Sequence, residues 1–242
     1  MLRAVTFDFW GTLVDGGHSL KDERVRALCQ RLVPCVAQDV LYAYEESWKQ
    51  FGRALSEGYG MGAATLLSGT LDILGRTLLP PDYASTLRYW EEALLSDPPP
   101  LLDGVRSVLY AMRARDLWVG LISDTGASPG RVIRQVLRDA GLLVSFDWLT
   151  FSNEIGVTKR RPQPFMLTLR ALGVRPEEAL HVGDLPETDI QGARAMGMHT
   201  PLLLENSGRR DGIPDADIVL ERLRDLPEAL ECWEQEWASQ AR

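Results

Sequence analysis

The sequence predicts an α/β protein: a parallel sheet with helices on both faces, carrying an all-α unit inserted after the first strand. Three observations lead there. From Gly104 onward strand-like and helix-like segments alternate. A short apolar run, RAVTFD, stands apart at residues 3–8. Between them, from about Asp22 to about Ser96, helical periodicity runs with few β-branched residues. Alternation of this kind builds a parallel sheet through crossover helices, and the isolated first strand belongs with it.

Taken in order, RAVTFD reads as a buried strand that delivers Asp8 at its carboxyl end. The stretches ERVRALCQRLV, DVLYAYEESWKQFGRALSEG and YASTLRYWEEALLS carry apolar residues at helical spacing. They end at Asp97–Pro100, DPPP, where consecutive prolines stop a helix and mark a boundary or hinge. The expected division is therefore residues 1–15 with 97–242 as one unit and 16–96 as the helical insert. Beyond the prolines, GVRSVLYAMRARD reads as a helix, LWVGLIS as a strand, PGRVIRQVLRDAG as a helix and WLTFS as a strand. PQPFMLTLRALG then reads as a helix, ALHVGD as a strand, TDIQGARAMG as a helix and HTPLLLE as a strand. ADIVL is a weak last strand, and LRDLPEALECWEQEWA is an amphipathic closing helix that seals one sheet face.

Composition narrows the function. With 45% hydrophobic residues in 242, the chain can bury a core of its own. A net charge of −8 disfavours nonspecific binding to nucleic acid or to anionic membranes, since nothing neutralises phosphates in bulk. The three cysteines, Cys29, Cys35 and Cys232, lack metal-ligand spacing and read as reduced thiols. Without a secretory leader pattern or a membrane-length apolar run, the expectation is a cytoplasmic protein.

Open parallel sheets bind ligands at the carboxyl ends of their strands. Four polar clusters fall there: Asp8; Ser123 with Asp124; Lys159 in the loop after WLTFS; and Asp184 with Asp189. A carboxylate can attack an electrophilic phosphorus or carbon and form a covalent intermediate that water then breaks. Its charge repels a phosphate dianion, so a cation is needed. Asp184 and Asp189 beside Asp8 make a hard oxygen set suited to Mg²⁺. The Ser123 hydroxyl, the N–H groups after it and the Lys159 ammonium can hold the remaining phosphoryl oxygens.

These motifs resemble the haloacid dehalogenase-like (HAD) hydrolase superfamily along nearly the whole chain. The carrying residues are FDFWGT for the first motif, LISDTG for the second, GVTKRRPQPF for the third and HVGDLPETDIQGARAMGM for the fourth. The resemblance implies a Rossmann-like core, and the helical insert is similar to the family's C1 cap, a lid that helps select substrate. It implies Asp8 as nucleophile, Ser123 and Lys159 as phosphate and charge stabilisers, and Thr12 at the turn and substrate. It further implies Asp8, Asp184, Asp189 and the Trp10 carbonyl as Mg²⁺ ligands. The partner implied is a small phosphate ester, with no nucleic acid and no membrane, in a monomer or homodimer.

Three positions depart from the family pattern. Trp10 replaces the acid that protonates the leaving group and activates water; an indole does neither, losing such help costs on the order of 10²–10⁴-fold in rate, and the residue reads either as a substrate-stacking pocket wall or as a core aromatic in an enzyme that has lost activity. Asp124 stands where Asn is commoner and brings a negative charge towards the phosphate position. In KRRPQP, counting from Gly156 puts Lys159 at the motif cation, whereas counting from the second half puts Arg161 there. The 2-haloacid dehalogenases of the superfamily carry Tyr at the Trp10 position and use no metal, so carbon–halogen hydrolysis is an alternative to phosphatase activity. A non-catalytic relative that binds a phosphorylated ligand is a third reading.

The remaining conspicuous residues have structural readings. Asp189 also reads as an acid at a helix N-terminus. His18, His181 and His199 read as satisfied polar residues, and Arg209 with Arg210 as a solvated loop. Trp48, Tyr59, Met61 and Trp90 read as helix-packing core, with GYGMGAA as a glycine-rich loop that could face the site.

Overall fold

The structure, a computed structural model, describes residues 1–240. Its strands are β1 (Ala4–Phe7), β2 (Trp118–Ser123), β3 (Trp148–Phe151), β4 (Ala179–Val182), β5 (Pro201–Leu203) and β6 (Ile218–Leu220). All named pairings are parallel, in the order β3-β2-β1-β4, with β5 paired to β6. Hydrogen bonds from His181 N–H to the His199 carbonyl (2.9 Å) and from Leu203 N–H to the Gly183 carbonyl (2.8 Å) carry the sheet across from β4 to β5. The result is the doubly wound order 3-2-1-4-5-6, whose ligand crevice lies at the carboxyl ends of the central strands.

The central position of β1 follows from its sequence. Ala4, Val5, Thr6 and Phe7 are all fully buried, as a strand covered on both faces requires. One apolar cluster packs Val5 and Phe7 against Val108, Met112, Val119 and Leu121; the other joins Ala4 to Phe165, Leu169 and Ala193. Truncating Phe7 to alanine would cost about 3–5 kcal/mol at a site this closed.

The helices are α1 (Lys21–Cys29), α2 (Ala37–Ser56), α3 (Ala63–Leu74), α4 (Pro80–Ser96), α5 (Val105–Ala114), α6 (Gly130–Asp139), α7 (Ser152–Ile155), α8 (Gln163–Leu172), α9 (Gln191–Ala195) and α10 (Leu226–Gln240). Helices α1–α4 enclose an apolar cluster of their own around Leu28, Tyr44, Phe51, Leu66 and Trp90. The chain enters and leaves this insert side by side. Asp15 N–H donates to the Pro100 carbonyl at 3.0 Å and Leu102 N–H to the Leu13 carbonyl at 3.0 Å, so the proline stretch is pinned to the segment after β1.

Several expectations are corrected. Cys29 and Cys35 are joined in a disulfide rather than reduced, because the turn after α1 brings their Cα atoms to 5.6 Å; Cys232 is free and exposed. Ser152 ends no strand but opens the single turn α7. TDIQGARAMG is not one helix: a wide turn at Pro186–Ile190 precedes the short α9. Trp90 is core, whereas Trp48 (41% exposed) and Tyr59 (55% exposed) are not. The closing helix packs against α5 and β6 as expected, with Leu226 and Leu230 fully buried.

Candidate active site

The site begins where β1 ends. Asp8 is only 4% exposed, and the chain turns back directly after it. The N–H groups of Leu13 and Val14 donate to the Phe9 carbonyl at 2.9 and 3.1 Å, and that of Gly11 to the Val14 carbonyl at 2.8 Å. These bonds engage the Phe9 and Val14 carbonyls and leave that of Trp10 out of the turn. Gly11 takes a left-handed φ of 73°, and a Cβ there would run into the Asp184 carboxylate. Dihedral and close approach together require glycine.

Lys159 is the hub of the acids. Its buried ammonium pairs with Asp8 Oδ1 and with Asp189 Oδ1, the latter at 2.5 Å. Asp189 also accepts from Leu185 N–H at 2.9 Å and lies 3.2 Å from His181 Nε2. Thr6 Oγ1 lies 2.9 Å from His181 Nδ1. The Thr6 hydroxyl also donates to the Leu180 carbonyl at 3.1 Å, and a buried run of polar contacts leads from Thr6 through His181, Asp189 and Lys159 to Asp8. Arg161 is exposed and instead donates through Nη2 to the Glu57 carbonyl at 3.0 Å.

Electrostatics follow the same grouping. Burial is the largest influence on Asp8; the Lys159 ammonium opposes it, but with the Asp189 and Asp184 charges added the carboxyl lies well above its usual range. Burial and then Asp189 push Asp184 up to about 7. For Asp189 burial opposes ionisation, yet Lys159 and the His181 hydrogen bond prevail and hold it well below the usual range. Burial likewise works against the Lys159 charge, but Asp189, Asp8 and Asp124 overcome it and the ammonium is held firmly protonated.

The acids fit a divalent cation. Asp8, Asp184 and Asp189 each offer a carboxylate oxygen, and these lie within 4.8 Å of one another. Asp184 Oδ1 is buried with no hydrogen-bond partner. Hard oxygens crowded with more negative charge than one lysine neutralises are the donor set Mg²⁺ prefers.

Other predicted residues are placed as follows. Ser123 at the end of β2 and Thr12 in the turn are fully buried, and both hydroxyls lack partners; such orphaned groups are rare without a ligand to receive. Asp124 is turned onto the backbone, accepting from Lys159 N–H at 3.0 and 3.2 Å, rather than aimed freely at a phosphate position. Burial pushes its carboxyl up to about 6. Trp10 packs edge-on against Phe9 at 5.0 Å and lines a cavity of about 220 Å³ between the strand-end loops and the helical insert. Around Lys159 the insert is tied down. Gly60 N–H donates to the Gly156 carbonyl at 2.9 Å and Thr158 N–H to the Gly58 carbonyl at 3.1 Å, so GYGMGAA reaches the third-motif loop.

His181 is the member of this assembly that the sequence reading left out. It is a satisfied polar residue, as expected, but what satisfies it is Asp189, eight residues on. The available signal was a lone titratable side chain in the apolar strand ALHV.

A doubly wound fold with an acid–lysine cluster at the carboxyl ends of its central strands defines an α/β protein whose candidate chemistry rests on carboxylates. The haloacid dehalogenase-like hydrolase family matches residues 2–197, and the chain belongs to that family of hydrolases. It is 36% identical over 131 residues to a phosphoserine phosphatase of Thermus thermophilus, a match covering 54% of this chain. The chain spans about half the length of that relative, 50%. With a glyceraldehyde 3-phosphate phosphatase of Methanopyrus kandleri it shares 26% identity over 232 residues, covering 93% of this chain and 96% of the relative. Among solved structures, the HAD-hydrolase YfnB of Bacillus subtilis, bound to magnesium, superposes with a TM-score of 0.68 at 20% identity, covering 95% of this chain and 99% of that one.

Proposed function

We propose that this hydrolase is a Mg²⁺-dependent phosphatase of a small phosphorylated metabolite, acting through a covalent intermediate on Asp8. The observation that carries the reading is the trio Asp8, Asp184 and Asp189 gathered within 4.8 Å around one buried lysine. Phosphatase relatives support the substrate class. The net charge of −8 supports a small-molecule partner rather than nucleic acid or a membrane surface, and the proposed location is the cytoplasm. Among the described residues no helix is long and apolar enough to cross a membrane. Residues 1–15 and 97–242 form the catalytic core in this reading, 16–96 is its lid, and the protein works as a monomer or homodimer.

An Asp8 carboxylate oxygen bonds to phosphorus as the bond from phosphorus to the ester oxygen breaks. Ser123, Thr12 and Lys159 receive the phosphoryl oxygens and hold the charge that develops on them. A Mg²⁺ held by Asp8, Asp184, Asp189 and the Trp10 carbonyl would neutralise negative charge between nucleophile and substrate. Because Trp10 offers no titrating group, the departing alkoxide takes its proton from water. A water molecule then adds to phosphorus and gives a proton to the hydroxide left by that protonation, the bond from phosphorus to Asp8 breaks, and inorganic phosphate leaves with the Asp8 carboxylate restored. This makes the enzyme slower than relatives with an acid at position 10.

The aromatic at position 10 favours one second reading, carbon–halogen hydrolysis by the same nucleophile. The decisive experiment follows phosphate from a phosphate-ester panel and chloride from 2-chloropropionate, with and without Mg²⁺. Phosphate release that requires Mg²⁺ and is lost in Asp8→Asn is expected. Chloride release without metal would replace the reading, and ligand binding with no turnover would make the chain a non-catalytic relative.

A further inference from the structure

Helix α1 places a cation that the chemistry above does not use. Arg24 is 6% exposed, yet among the described residues no carboxylate stands within ion-pair reach of it. Two of its contacts are neutral: Nε donates to the Trp90 carbonyl at 3.1 Å and Nη2 to Ser128 Oγ at 3.2 Å. A guanidinium has five N–H donors and does not deprotonate in proteins, so a buried one is expected to be paired with an anion. Three donors are left over after those two contacts.

Arg24 borders a cavity rather than packing wholly into core. Arg24 lines the space of about 220 Å³ together with Trp10, His18, Leu20, Trp48 and Ser128, with no acidic side chain in that lining; the adjoining cavity that Arg24 also lines brings in Glu45, which is paired with Lys21 at 2.8 Å. Trp10 lies two residues beyond Asp8 in the β1 turn, and Gly126, also at the wall, lies three beyond Ser123 in the β2 loop. The cavity therefore lies beside the two loops that carry the proposed nucleophile and phosphate ligand. Where a group leaving a phosphoryl centre must go, the chain offers apolar aromatic walls and one unpaired buried cation.

We infer that Arg24 is a specificity-determining residue that receives an oxyanion carried on the leaving group, so that the substrate is a phosphate ester of an anionic alcohol with a short apolar stem. The inference rests on the phosphatase reading of the site. Trp10 and Trp48 contact the stem and exclude water, which strengthens the guanidinium–oxyanion pair. The loss of an acid at position 10 thereby makes room for a wall of the leaving-group pocket.

The test compares esters of equal length: ω-carboxyalkyl phosphates of two to four carbons, alkanediol bisphosphates and uncharged alkyl phosphates. Both kcat/KM in the wild type and calorimetric affinity in Asp8→Asn are measured. The carboxylated or bisphosphorylated ester is expected to exceed its uncharged match by about 10- to 100-fold in affinity and in kcat/KM, the scale of a hydrogen-bonded charge pair. Arg24→Gln should close that gap and Arg24→Lys should restore part of it. The stronger of the two anionic series identifies the oxyanion as carboxylate or phosphate. Equal binding of charged and uncharged esters, or a gap that survives Arg24→Gln, would overturn the inference and leave Arg24 as a clamp between α1 and the Ser128 loop. Absence of phosphate release with the affinity gap intact would instead count against the phosphatase reading alone.

Discussion

At the scale of single residues, Asp8 and Lys159 announce themselves through residue type and strand-end position, whereas the partners that hold them do not. Spacing from Gly156, with Pro162 and Phe165 at matching offsets, favours Lys159 over Arg161, and burial agrees: Lys159 reaches the acids while Arg161 stays at the surface. His181 and Arg24 were illegible, because a polar side chain in an apolar stretch does not reveal what it faces. Trp10 was legible as a departure. Trp10→Asp should raise phosphate release by about 10²-fold or more under saturating Mg²⁺, within the range general acid–base help supplies, as read by steady-state kcat. Asp124 makes a pH prediction. Its carboxyl sits at about 6 against an ordinary 3.8, so the folded state holds this proton to higher pH than the unfolded chain does. The stability it contributes is complete below about 3.8 and is lost as pH rises through about 6. Asp124→Asn keeps an oxygen for Lys159 N–H and removes that loss. Denaturant titrations should therefore show the variant gaining on the wild type between these two values, and parallel curves would contradict the assignment.

At the scale of elements, strands and long helices follow their periodicity closely, and the misses are short pieces set by tertiary contacts. The turn α7 forms because Ser152 and Asn153 turn inward: Ser152 Oγ accepts from Thr125 N–H at 2.8 Å, and Asn153 Oδ1 accepts from Gly130 N–H at 3.1 Å. The wide turn at Pro186–Ile190 is held open by Asp189, whose carboxylate accepts from Leu185 N–H. Neither contact has a local sequence signature. The pairing of Gly58–Gly60 with Gly156–Thr158 is a further tertiary feature, and it explains a glycine. A Cβ at Gly60 would press on the Ser152 carbonyl and on Val157 N at 2.7 Å, so the insert loop and the Lys159 loop would have to part. Gly60→Ala should cost about 1–3 kcal/mol of stability, the usual scale of overpacking, and lower kcat/KM by displacing Lys159. Gly52→Ala is the matched control: inside α2 with nothing within 4 Å, it should stabilise by about 0.5–1 kcal/mol. Chemical denaturation of the pair separates close approach from helix propensity.

At the scale of the whole molecule, four segments far apart in sequence, around Asp8, Ser123, Lys159 and Asp184, meet because β1 lies between β2 and β4 and because parallel strands present their carboxyl ends on one edge. That convergence was readable in advance, since it depends only on alternation and crossover handedness. The bond between Cys29 and Cys35 was not, because it depends on how the segment between α1 and α2 folds back. The central claim is that this convergence makes Asp8 the nucleophile of a phosphoryl transfer. It is tested most directly by acid-quenching the enzyme during turnover of an isotopically labelled phosphate ester with Mg²⁺ and locating the label by peptide mass spectrometry. The account predicts labelled phosphate on Asp8, absent in Asp8→Asn and discharged as inorganic phosphate when the quench is delayed. Label on another residue, or phosphate release that persists in Asp8→Asn, would contradict it.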